Sequence, residues 1–311
     1  MDTKLWARNT PNGLFTLSDR NSFPTGNIWW VGSTVATCSD EVGSVDNPQG
    51  RTPDAPFATW AYAVAASAAG DTIYLLPGHA ETIGVTGAAA ITLSKAGVRH
   101  IGLGGRTLKP AILVDAYTDT YVSVTGDGTV IENIAFSAGH SDIAVGMIVA
   151  ADGVEIRKCD FLQNTTNENF LICLSDAGAN TADGLIVEDC TFIGYDTSNT
   201  HGIAIGFAQD RMVIRNNLCI GFWETMAIGG AGVPTNVLVE NNYIQNKDTD
   251  ADQCIYFPDL TTGCIVRNLV GSAVAGNVTT NIYVGTKAMA CENYSVDAVG
   301  DVQGVLDPVA T

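Results

Sequence analysis

The sequence is poor in positive charge, poor in charge altogether, and without the paired residues on which redox and metal chemistry depend. Only 15 Lys and Arg stand against 33 Asp and Glu, a formal net charge of −18 over 311 residues. A surface of that sign repels phosphate backbones and anionic lipid, so DNA, RNA and acidic membranes are poor partners. It also disfavours a polyanionic glycan such as pectate, leaving room for only a weak glycan contact. No run of about 18 apolar residues occurs, so no helix is expected to cross a bilayer. Eight cysteines, at 38, 159, 173, 190, 219, 254, 264 and 291, are scattered singly with no C-x-x-C pair. They read as reduced thiols that serve as small apolar groups, which implies assembly in a cytoplasm. The stretch Met1 to Trp6 lacks the apolar run of a signal peptide, and the same expectation follows from it. The four histidines, 79, 100, 140 and 201, are isolated, so neither a metal nor another cofactor is expected.

What is present is a repeat. Relatives of Val187-Glu188-Asp189-Cys190-Thr191-Phe192 recur along the chain, with the charged residue appearing as Arg99, Glu132, Arg157, Glu188, Arg215, Glu240, Arg267 and Glu292. The spacings run from 25 to 33 residues, a period that belongs to stacked architectures. The residue before the charge is apolar in nearly every copy. The residue after it is mostly asparagine, as in Asn133, Asn216, Asn241, Asn268 and Asn293, a type that tolerates a left-handed backbone at a tight bend. Beyond the bend, segments such as Cys159-Asp160-Phe161 alternate with period two, so each repeat is a coil of short strands. The charges alternate in sign along the chain. Stacked about 4.8 Å apart, each would lie between opposite charges worth roughly 0.2–1 kcal/mol per pair, a structural ladder that needs no catalytic role.

The chain divides into an apolar-studded arm over residues 1–28, a strand, loop and capping helix over 29–70, the stack over 71–299, and a tail over 300–311. In the arm, Trp6, Phe15 and Phe23 are candidates for contact with a partner or with the first coil. Thr59 is placed to cap a helix whose Trp60, Ala63, Val64 and Ala68 share one face, closing the open end of the stack. The remaining insertions are expected in loops 106–118, 163–170 and 176–184.

The run Trp30 through Pro56-Phe57-Ala58-Thr59 to Gly70-Asp71-Thr72-Ile73-Tyr74-Leu75-Leu76-Pro77-Gly78-His79, followed by the coils, resembles right-handed parallel β-helix proteins of the pectate-lyase-like superfold. More narrowly it is similar to β-helix virion proteins of tailed bacteriophages. The resemblance covers about residues 29–296 and implies an all-β fold, a right-handed parallel β-helix with an N-terminal capping helix and arm. It implies nothing specific about chemistry, since this superfold carries lyases, hydrolases, tailspikes and structural proteins.

The catalytic sets of those enzymes are missing from the sequence. Neither acidic calcium ligands with a basic partner nor clustered aspartates with His and Arg-x-Lys are found. Asp176, Asp183, Asp210 and Glu224 are the carboxylates whose spacing permits a glycosidase-like pair on adjacent coils. Asp248, Asp250 and Asp252 read as a solvated loop, lacking the glycine and distal glutamate of a calcium loop. Two residues before the charge, Ile186, Val213, Leu238 and Ile265 form an apolar outward column, the mark of a contact surface. The expectation is therefore a non-enzymatic virion protein without catalytic residues. Its leading form is a decoration protein on the capsid exterior, a trimer contacting the major capsid protein. A tailspike or fibre that binds or cleaves host glycan is the alternative.

Overall fold

The computed structural model describes residues 26–41, 49–84, 89–163, 165, 167–176, 182–249, 253–276 and 280–298, and the backbone of 302–304. The chain winds as a parallel β-helix of eight complete coils, each giving one strand to each of three sheets. The first sheet runs from Ile28–Val31 to Ala288–Cys291 and the second from Ala80–Ile83 to Val302–Gly304, ten strands each. The third has eight, from Ala89–Leu93 to Ile282–Val284. Ile186–Glu188, Thr191–Gly194 and His201–Ala204 make up one coil. Neighbouring described strands are parallel except at the C-terminal edge, where Val302–Gly304 lies antiparallel on Tyr294–Val296.

Period-two alternation decides what enters the core. Ile131, Ile156, Val187, Ile214 and Val239 are fully buried on the first sheet, each flanked by outward residues. On the second sheet Phe136, Phe161 and Phe192 stack in register with ring centroids 5.4 and 5.1 Å apart. This is the strand spacing transmitted to the side chains. At the N-terminal end the helix Trp60–Ala66 begins at Thr59, whose hydroxyl accepts the Tyr62 N–H at 3.2 Å. It buries Trp60, Ala63 and Val64 over the first coil; Ala68 lies past the helix end and is exposed.

The bend between the first and second sheets is where the structure corrects the alignment read from the sequence. Asn133, Lys158, Asp189, Asn216 and Asn241 have φ between 53° and 59°, the left-handed region expected of this column. In the last two coils, however, that position is taken by Arg267 and Glu292, each with φ 56°. The strands there pair Glu240 with Val266 and Val266 with Cys291. The shift of one residue turns Ile265 into the core, fully buried, so it leaves the outward column. It also brings Asn268 and Asn293 into line with Asn217 and Asn242, one place after the bend. Arg99 is likewise displaced: it pairs with Val130, and Ile101 faces Glu132. His100 therefore lies in a strand, buried under the helix cap, where its Nδ1 accepts from Trp60 Nε1 at 3.1 Å. The insertion expected at 106–118 contains a short 3-10 turn, Arg106–Leu108, and the second-sheet strand Ala111–Val114.

Two cross-coil ladders hold the bend together. Glu132, Arg157, Glu188, Arg215 and Glu240 are in register. Glu188 meets Arg215 at 2.9 Å and Arg157 at 3.7 Å, Lys158 reaches Glu132 at 2.8 Å, and Arg267 reaches Glu240 from its shifted position. Inside the bend, buried Asn217, Asn242, Asn268 and Asn293 form a second ladder. The side-chain oxygens of Asn242, Asn268 and Asn293 each accept the backbone N–H and the side-chain N–H of the asparagine one coil before, at 2.9–3.0 Å. In the middle of the stack Cys190 N–H donates to Asn217 Oδ1, so the ladder begins where the cysteine column ends.

Candidate functional site

Of the four carboxylates singled out by spacing, Asp176, Asp183 and Asp210 are occupied in holding turns. Asp176 is buried and accepts from the N–H groups of Gly206 (2.6 Å) and Phe207 (3.1 Å) and from Gln209 Nε2 (3.1 Å). Burial raises its pKa, and those donors oppose the rise. Asp183 and Asp210 belong to a column of turns between the third and first sheets. Asp152, Asp183 and Asp210 each donate a backbone N–H to the carboxylate one coil earlier, on Asp127, Asp152 and Asp183, at 2.8–3.1 Å. Asp210 itself accepts from Asn236 Nδ2 and Thr235 Oγ1, both at 2.8 Å, and these bonds hold its pKa below the usual range. Glu224 is exposed at the end of a loop. Among the described residues no group of three or more His, Cys, Asp and Glu is placed to hold a metal ion. Asp250 and Asp252 lie outside the described residues, as do Trp6, Phe15 and Phe23.

The buried thiols and imidazoles are core groups. Burial pushes Cys173 and Cys219 far up and Cys254 up to about 12, so none is a ready nucleophile. Cys159 and Cys190 lie in one inward column on adjacent coils, both fully buried and both free thiols. His201, half-buried on the third sheet, is held at about 4 by burial. Trp223 is fully buried, and Trp29 stacks on Phe57 at 5.5 Å, leaving neither as a surface platform.

Two outward faces remain. On the first sheet Ile186, Val213 and Leu238 stand in register, half-buried. The register carries this column on to Cys264 and to Met289, which is 52% exposed. The second sheet holds a face that the sequence did not disclose. Thr191, Leu218, Tyr243, Leu269 and Tyr294 are paired strand to strand, with Ile193, Ile220, Gln245, Gly271 and Val296 two residues along. Tyr243, Leu269 and Tyr294 are 43–49% exposed. Not one of these ten residues is charged, in a chain of net charge −18. Gly271 leaves a gap between Gln245 and Val296, and beside it lies a hollow of about 280 Å³ reached by Gln245, Lys247, Ser272 and Asp297. On the bend side the face is edged by Asn216 and Asn241, both exposed.

No family model and no curated protein matches the chain. Among solved structures it is similar to a rhamnogalacturonan lyase, at 14% identity over 79% of this chain and 74% of that one, with a TM-score of 0.45. It is also similar to the crystal structure of pectate lyase Pel9A, at 17% identity over 88% and 76% of the two chains, with a TM-score of 0.47. At such identities the likeness concerns the fold. Both of these proteins are nevertheless enzymes, and the expectation of a non-enzymatic chain is withdrawn on that finding.

Proposed function

We propose that this chain is a virion protein of a tailed bacteriophage that binds a surface glycan, assembled in the host cytoplasm and displayed on the particle as a fibre or spike component. The observation that carries the proposal is the uncharged, tyrosine-bearing outer face of the second sheet, beside a hollow whose lining includes Gln245 and Ser272. Sugars present apolar C–H faces ringed by hydroxyls, so a site for them combines exposed aromatic rings with hydrogen-bonding side groups. Strands supply the rigidity: each coil fixes its outward residues through backbone bonds to both neighbours. The test is retention of the full chain on an array of neutral and anionic bacterial and algal polysaccharides. Retention on at least one supports the proposal, and retention on none overturns it.

A second reading, a decoration protein on the capsid exterior, is favoured by the first-sheet column of Ile186, Val213, Leu238, Cys264 and Met289. A narrow column suits a lateral contact within a trimer or to the major capsid protein, where many weak copies on a lattice act together. Electron cryomicroscopy of the virions decides it: ordered copies on the capsid lattice support this position, and density confined to the tail overturns it.

A further inference from the structure

The glycan proposal leaves open the class of chain that is bound and the residues that bind it, and the geometry of the second sheet points to both. We infer that the face takes a neutral, extended, β-linked polysaccharide lying parallel to the stack axis, with Tyr243 and Tyr294 as its two stacking platforms. This rests on the glycan reading, not on the capsid or tail position.

Direction follows from register. Tyr243 pairs with Leu269 and Leu269 with Tyr294, so the tyrosines are two strand spacings apart, about 9.6 Å along the axis. That is the length of two sugar units in an extended β-linked chain, so every second ring would meet a tyrosine while the intervening one crosses Leu269. A chain lying along the stacking direction, across the strands, in this way reads one column. A chain running along a strand would meet only one exposed aromatic ring.

The kind of partner follows from area and charge. The five strands, at ~4.8 Å spacing and about four residues of ~3.3 Å each, offer a footprint of roughly 250 Å². A stable protein interface takes about 800 Å² from each partner, so this face by itself fits a narrow linear ligand, not a folded subunit. All ten residues of the two columns are uncharged. The nearest charges are mixed in sign: Asp160, which pairs with Thr191 at the end of the column and is bridged to Lys109; Lys247 and Asp297 in the hollow; and Arg267 and Glu292 at the bend. A polyanion finds no cationic track here, whereas hydroxyl groups find amides on both sides, Asn216 and Asn241 at the bend and Gln245 by the hollow.

The test is affinity electrophoresis of the full chain through gels containing hydroxyethylcellulose, glucomannan or polygalacturonate. The wild type is expected to be retarded by at least one neutral polymer and not by polygalacturonate. Tyr243→Ala and Tyr294→Ala should each weaken retardation about threefold to tenfold, as expected for one stacking contact, and the double variant should abolish it. Tyr294→Trp should retain it, and Tyr117→Ala, another exposed aromatic, should leave it unchanged. Because both target tyrosines are exposed, unaltered thermal unfolding of the variants separates lost binding from lost folding. Retardation by a neutral polymer that survives in the double variant overturns the site while the glycan reading stands. Retardation by polygalacturonate alone overturns the neutral class. No retardation by any of the three polymers overturns this inference, while the polysaccharide array decides the broader reading independently.

Discussion

Asn242→Ala should destabilise the stack far more than Asn241→Ala, although the two residues are adjacent and of one type. Asn242 is 1% exposed and its side chain makes four hydrogen bonds. Its Nδ2 donates to Ile214 O at 3.0 Å and to Asn268 Oδ1 at 2.9 Å, and its Oδ1 accepts from Asn217 N and Asn217 Nδ2, each at 3.0 Å. At roughly 1 kcal/mol net per bond, their loss costs about 4 kcal/mol, with the buried Asn217 N–H left without this acceptor. Asn241 is exposed, and its side chain accepts only the Arg267 Nε contact at 3.3 Å. Replacing it with alanine keeps φ at 54° and, because asparagine already carries a Cβ there, forfeits only its local polar contact, a cost of at most about 1 kcal/mol. A stack opens locally, coil by coil. The measurement is therefore hydrogen exchange of residues 214–219 together with urea unfolding followed by circular dichroism. Exchange across those residues should rise sharply in the Asn242 variant alone. If the two variants unfold within about 1 kcal/mol of each other, the inner asparagine ladder is not what holds the bend.

The outer ladder makes a weaker, salt-sensitive contribution. Glu188→Gln leaves Arg157 and Arg215 facing one another, and because both are more than a third exposed the cost should be about 0.5–1 kcal/mol in dilute buffer and should vanish in 1 M salt; a cost independent of salt refutes the electrostatic account. Stability should also fall with pH below about 6.5 for a reason inside the helix cap. Burial holds His100 at about 3 in the folded chain, so between its ordinary value of 6.5 and that value only the unfolded chain takes up the proton. The contribution is complete above pH 6.5 and is lost as pH falls, at up to about 1.4 kcal/mol per unit. His201, held at about 4, acts in the same direction. His100→Gln should flatten the urea-midpoint profile between pH 6 and 4, and an unchanged slope in that variant overturns the assignment.

Much of this fold was legible because a coil is a local object. The apolar residue before each charge, the left-handed bend after it and the alternating strand beyond are neighbours in sequence, and Val187, Asp189 and Phe192 occupy the places their types suggest. The helix at Trp60 was legible for the same reason, its cap and its apolar face lying within a few residues. The carboxylates were visible as residue types but misleading as chemistry. Asp176 and Asp183 owe their partners to Gly206 and Asp210, about one coil away, and no local pattern reports that.

By itself, then, the sequence determined that the chain coils, roughly with what period, and that charge alternates up one side. Only the tertiary structure decided the register. A shift of one residue in the last two coils costs the strand pattern little, because Val266 and Cys291 fill the places that would continue the alternating Glu and Arg column, yet it sends Ile265 inward and lines up four asparagines inside the bend. The candidate site is of the same kind. Leu218, Tyr243, Leu269 and Tyr294 are separated by 25 or 26 residues and differ in type, so they form a face only when parallel strands place them side by side. A surface made of one residue per coil exists in the stacking and nowhere along the chain.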